Sequence, residues 1–124
     1  MKKNIAAALV ISALVFSGTT AFATDEQQSQ HIAEALKHAQ EALGYAKQGH
    51  NDVLIEHAEE ARKHAKEITG VDVGLDIQHA LGGLRIAAKL AQEGDNAGAV
   101  RNLEEAIASL DSIKGRWIAA RVHK

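Results

Sequence analysis

Residues 31–67 read HIAEALKHAQEALGYAKQGHNDVLIEHAEEARKHAKE, and this stretch has a regular pattern of apolar residues. On both sides of Gly49, alanine, leucine and isoleucine recur at intervals of three and four residues, which is the spacing of one face of an α-helix. Glycine commonly ends a helix, and Asn51 or Asp52 can begin the next one as an N-cap. The stretch therefore predicts two amphipathic helices that are joined by a tight turn.

The same pattern continues outwards to residues 25 and 120. The chain has no proline, and beyond its N-terminal segment it is rich in residues of high helix propensity. Glycines separate the helical patterns, at positions 49, 70, 74 and 94. We predict four helices, at residues 25–47, 52–69, 73–92 and 96–120. The remaining candidate caps are Thr24 with Gln27, Asp72, and Asp95 or Asn96. Short connections make successive helices antiparallel neighbours, so the prediction is an all-α, antiparallel up-down four-helix bundle.

An internal repeat relates the two halves of this bundle. A shift of 45 residues places Ile77 on Ile32 and Asn96 on Asn51, so we expect two similar helical hairpins. The glycines after the first and third helices also match, but the histidines do not. The counterparts of His31, His38, His50, His57 and His64 are Asp76, Gly83, Asp95, Asn102 and Ser109. The first hairpin therefore carries a chemistry that packing does not require.

That chemistry is a regular series of histidine and glutamate. In four cases a glutamate follows a histidine by three residues: His31/Glu34, His38/Glu41, His57/Glu60 and His64/Glu67. Side chains at this spacing are neighbours on one helix face. A single pair of this kind is usually a solvated, helix-stabilising contact, whereas four pairs in register on two helices favour metal coordination. The pattern leaves open whether the two series converge on one groove or face away from each other.

The available ligands restrict the metal. There is no cysteine, and Met1 is the sole methionine, so soft Cu(I)-type sites are excluded. Imidazole and carboxylate suit Cu(II), Zn(II), Ni(II) and Co(II), of which Cu(II) binds tightest at a given site. His50 lies in the first turn and is a further candidate ligand. His79 has no glutamate partner, and Tyr45 is better explained as a packing residue at the edge of the core.

The N-terminus has the features of a secretory signal peptide. Lys2 and Lys3 precede an apolar run at residues 5–16, and Ala21-Phe22-Ala23 supplies the small residues that a signal peptidase accepts. The apolar run is shorter than a membrane-spanning helix requires. We expect cleavage after residue 23, a single domain at residues 24–124, a periplasmic location and no membrane attachment afterwards.

Charge and motifs narrow the class of function. The full chain has a formal net charge of −2, and loss of the leader makes the remainder more acidic. This balance argues against nucleic acid as a partner and suits cations. No Ser/His/Asp pattern or glycine-rich phosphate loop is present, so we do not expect an enzyme. The competing hypothesis is a periplasmic adaptor or chaperone-like module whose protein partner the sequence does not identify.

Residues 31–67 resemble the small metal-binding protein family, which consists of periplasmic, histidine-rich four-helix bundles built from seven-residue steps of HxxE type. The helix pattern and the EGDN turn at residues 93–96 extend the resemblance into the second hairpin, which lacks the histidines of the family except His79. The resemblance implies reversible binding of several divalent metals, copper above all, and a role in metal buffering or tolerance. It places the ligand role on His31, Glu34, His38, Glu41, His50, His57, Glu60, His64 and Glu67.

Overall fold

The computed structural model describes residues 25–69 and 73–122. Four helices form this part of the chain: α1 (Asp25–Lys47), α2 (Asn51–Lys66), α3 (Gly74–Gln92) and α4 (Asn96–Val122). The described residues contain no strand, which confirms the predicted all-α class. None of their helices combines the length and hydropathy that crossing a membrane requires. The predicted leader, the caps assigned to Thr24 and Asp72, and His123 lie outside the described residues.

The helices pack in the cyclic order of an up-down bundle. α1 lies against α2 and α4, and α3 lies against the same two helices. Antiparallel directions follow from contacts between opposite ends: Arg121 of α4 donates to Asp25 of α1 over 2.9 Å, and Arg116 pairs with Asp76 across α3 and α4. These contacts agree with the predicted antiparallel up-down arrangement of the four helices.

The core consists mainly of alanine, as the sequence pattern indicated. Larger side chains fill the spaces between the alanine faces, and five of them are fully buried: Leu54, Leu84, Leu103, Leu110 and Ile113. Burial of each such side chain contributes about 1.5–3 kcal/mol relative to exposure. Trp117 is only 8% exposed, and it covers the core near the end of α4.

Glycine allows one close approach between helices. A Cβ atom added to Gly83 of α3 would lie 2.9 Å from the backbone oxygen of Asn102 and 3.2 Å from the Cβ of Ala106 in α4. The neighbouring Gly82 has open space at the same point. Gly83 is therefore the residue of the pair that permits a tight crossing of α3 and α4.

The internal repeat is visible as a pair of reciprocal contacts. The Asn51 side chain donates to the backbone oxygen of Ala91, and the Asn96 side chain donates to that of Ala46, each over 3.2 Å. The two asparagines also bond to each other over 2.6 Å. Because both the donors and the acceptors are 45 residues apart, the two hairpins are related by an approximate twofold axis that passes between the asparagines.

The structure corrects some predicted helix ends. α2 stops at Lys66 instead of residue 69, because Gln28 of α1 binds the backbone beyond it. The Gln28 amide donates to the oxygen of Glu67 over 3.1 Å, and its carbonyl accepts from the backbone N–H of Thr69 over 2.7 Å. This buried side chain satisfies groups that a further helical turn would otherwise pair.

The predicted caps at the two turns differ in outcome. At the second turn, Asp95 accepts a bond from the backbone N–H of Gly98 over 2.9 Å, so the predicted cap of α4 is confirmed. At the first turn, neither Asn51 nor Asp52 is the cap of α2. His50 occupies that position, and its side chain makes no capping bond. Asn51 lies inside the helix and uses its amide in the contact between hairpins instead.

Candidate metal centre

The histidines of α1 and α2 converge on one groove between the two helices. They alternate between the two helices and form a column of rings, which continues to Tyr45 of α1 and to His50 in the turn. The order along this ring column is His31, His64, His38, His57, Tyr45, His50. Successive ring centroids are 5.4–6.2 Å apart. The seven-residue steps on each helix explain this order, because residues seven apart lie on one face, two turns away. The histidine series of α1 and that of α2 therefore face each other.

One group of possible ligands lies in the middle of this ring column. The Nδ1 atoms of His38 and His57 are 3.1 Å apart, and the Oε1 atom of Glu41 lies 3.3 Å from the first and 3.2 Å from the second. This oxygen is buried and has no hydrogen-bond partner. Two imidazole nitrogens and one carboxylate oxygen therefore surround one point, and the oxygen has no hydrogen-bond donor.

The dimensions of this group fit a metal ion. Ligands at about 2.0–2.1 Å from a tetrahedral ion are about 3.3 Å from one another, which is close to all three sides of the triangle. A buried carboxylate oxygen without a partner is costly, and a cation would remove that cost. His38, Glu41 and His57 thus fit three of the ligands of a divalent ion, with further positions left for water.

A second group shares His38 with the first. Glu34, His38 and His64 each bring one ligand atom within 4.8 Å of the others, and the Oε1 atom of Glu34 lies 3.6 Å from Nε2 of His38. The Nδ1 atom of His31 is 3.2 Å from that of His64, so His31 adjoins this group. The second group is wider than the first.

Burial favours the neutral form of one histidine in this cluster. The pKa of His64 is lowered from its ordinary value of 6.5, first by burial and then by the neighbouring His31. The side chains of His38 and His57 are 18% and 24% exposed. Neutral imidazole is the form that binds metal, so the lowered pKa of His64 favours coordination, and the partial exposure of the other two rings leaves the groove open to water.

Not every predicted ligand enters the groove. Glu60 accepts a hydrogen bond from Lys63 over 3.1 Å, and this bond lowers the pKa of the Glu60 carboxyl. Glu67 is exposed beyond the end of α2, and His50 is exposed in the turn. None of these three belongs to a ligand group among the described residues. The structure brings together His31, Glu34, His38, Glu41, His57 and His64.

Tyr45 supports the cluster as a neighbour of a ligand. Its ring stacks on that of His57 with centroids 5.5 Å apart and planes 4° from parallel. The prediction that Tyr45 is a packing residue agrees with this contact, although the surface that it covers includes a metal-ligating candidate. Its position seven residues after His38 was the sequence signal for that role.

The fold and these ligand groups together define a helical bundle equipped to hold metal ions on one hairpin. The chain belongs to the small metal-binding protein family, whose model matches residues 1–113. The match extends well beyond residues 31–67 and includes most of the second hairpin. No curated protein sequence matches the chain significantly.

Proposed function

We propose that the protein binds divalent metal ions reversibly in the periplasm and buffers or sequesters them. Copper(II) is the preferred ion, and nickel(II), zinc(II) and cobalt(II) are alternatives. The triangle formed by His38, Glu41 and His57 is the observation that carries the proposal. Its atoms are 3.1–3.3 Å apart, and one is a buried oxygen without a donor.

Reversibility follows from the number and exposure of the ligands. Three protein atoms leave open positions on the ion, whereas structural sites are closed by four protein ligands. The groove is only partly buried, so water and competing ligands reach the ion. Protons compete for the same imidazole nitrogens, so the affinity decreases below about pH 6.

The proposal is for a binding protein and not for an enzyme. A shallow groove on the outside of a bundle excludes little water, whereas catalytic metal sites lie in dry, shaped cavities. The periplasmic location is part of the same proposal and rests on the lysines, apolar run and small residues of the leader. N-terminal sequencing of the protein recovered from a periplasmic extract tests it, and Thr24 is the expected first residue.

The test is equilibrium dialysis of the tag-free protein against Cu(II), Ni(II) or Zn(II) at pH 7.5 and at pH 5. We expect more than one ion per chain at the higher pH and loss of most of this metal at the lower pH. Retention of less than one equivalent of every ion at pH 7.5 would overturn the proposal.

Two variants separate the groove from other histidines. In the first, His31, His38, His57 and His64 all become glutamine, which removes every imidazole of the two groups and should abolish retention. The second is His79→Gln, which changes an exposed histidine outside both groups and should leave retention unchanged. Circular dichroism verifies that both variants keep their helices.

A further inference from the structure

We propose that the imidazole of His38 bridges two metal ions, so that the two ligand groups form one dinuclear centre. This inference rests on the proposed function, since it concerns the same groove. Among the residues that the structure describes, His38 is common to both ligand groups. An ion in either group would use the same imidazole, so this sharing is the first reason to treat the two groups as a unit.

The two nitrogens of the ring face different partners. Nδ1 lies 3.3 Å from the Oε1 atom of Glu41 and 3.1 Å from Nδ1 of His57. Nε2 lies 3.6 Å from the Oε1 atom of Glu34. One ring therefore offers one nitrogen to each group, which is the arrangement that a bridging ligand requires.

The surroundings of His38 are alike on its two sides. Glu34 and Glu41 come from the same helix, one turn before and one turn after it. His64 and His57 come from α2, and their rings lie 5.9 Å and 5.4 Å from the His38 ring. Besides His38, each group thus has one carboxylate from α1 and one imidazole from α2, so the two half-sites have the same composition.

Formation of the bridge releases one proton from His38. Neutral imidazole has one lone pair and one N–H, and the first ion takes the lone pair. Coordination of the second ion displaces the remaining proton to solvent and leaves an imidazolate anion between two cations. With Glu34 and Glu41 ionised, the centre then holds three negative charges against four positive charges, so the bridge reduces the repulsion between the ions.

Copper(II) provides a direct test, because two Cu(II) ions joined by imidazolate couple their unpaired electrons. The protein for the titration is tag-free and has glutamine at His50, His79 and His123, so that its remaining histidines are His31, His38, His57 and His64. We expect the integrated electron paramagnetic resonance signal to rise up to one bound copper and to fall as the second binds. A signal that grows in proportion to bound copper through the second equivalent overturns the bridge.

Variants in the same background provide a second measurement. Glu41→Gln and His57→Gln each remove a ligand from one half-site, so we expect loss of one ion and an uncoupled signal from the other. His38→Gln removes the shared ligand, so we expect loss of both ions. Retention of one tightly bound copper by His38→Gln contradicts the bridge but leaves the proposed function intact. Retention of less than one ion by the unsubstituted groove contradicts the proposed function itself.

Discussion

The two hairpins have the same turns and the same packing pattern but different grooves. Between α1 and α2 the groove contains a column of rings, whereas the groove between α3 and α4 contains a cavity of about 510 Å³ whose lining includes Gly83, Asn102 and Ser109. These three residues are the repeat counterparts of histidines. The core of the bundle and the chemistry of its grooves are therefore independent, because one core pattern carries both grooves.

Metal binding should give the largest difference between the two hairpins. At a free metal concentration one hundred times the dissociation constant, a ligand stabilises the folded state by about 2.7 kcal/mol. For a domain of this size, that corresponds to an increase in melting temperature of roughly 10 °C or more. We expect this increase with Zn(II) at pH 7.5 for the unsubstituted protein. The variant with glutamine at all four groove histidines should show none, and an equal increase in both proteins would place the metal elsewhere.

The second prediction contrasts Gly83 with its counterpart His38. Gly83→Leu introduces a Cβ atom 2.9 Å from a backbone oxygen of α4, and overpacking of this kind costs about 1–3 kcal/mol. His38→Leu replaces a side chain that already occupies its groove, so it should change the stability of the metal-free protein much less. Urea denaturation of both variants without metal is the measurement. Equal losses of stability would mean that the two grooves are packed alike.

The third prediction concerns the caps of the two turns. Asp95→Ala removes the bond to the backbone N–H of Gly98, and loss of such a cap costs about 1 kcal/mol. His50→Ala changes the corresponding position of the first hairpin, where the side chain makes no capping bond, so a smaller effect is expected. Thermal unfolding compares the two variants. A larger loss for His50→Ala would contradict the assignment of the caps.

The smallest effect should come from acidification of the metal-free protein. The folded state lowers the pKa of His64 through burial and the nearby His31, so the unfolded chain takes up the proton at a higher pH. The free energy of unfolding therefore decreases as pH falls through about 6.5 and stops decreasing below the folded-state pKa. His64→Ser introduces the residue type found at the counterpart position, Ser109, and should flatten this dependence between pH 7.5 and 5.5. An unchanged slope would show that other groups are responsible.

The sequence predicted the helices, the repeat and the family, because helical periodicity and glycine punctuation are local signals. It did not predict the end of α2, which depends on Gln28 from another helix. It also left open whether the two series of histidine and glutamate converge, because this depends on how each helix is rotated about its axis. Glu60 was predicted to be a ligand because of its spacing from His57. Lys63, at the same spacing from Glu60, competes for that carboxylate. The sequence did not show that His38 belongs to both ligand groups, because this depends on where its two ring nitrogens lie.

The reciprocal asparagine contacts determine how one hairpin is aligned along the other. Alanine-lined helix faces are smooth, so one hairpin could slide along the other by a helical turn, about 5.4 Å, with little loss of apolar contact. Such a slip would separate Asn51 from Ala91 and Asn96 from Ala46, leaving amides and carbonyls unpaired at two places. A single polar residue in an apolar interface can fix register in this way. The asparagine pair therefore acts as a latch that holds one hairpin in step with the other.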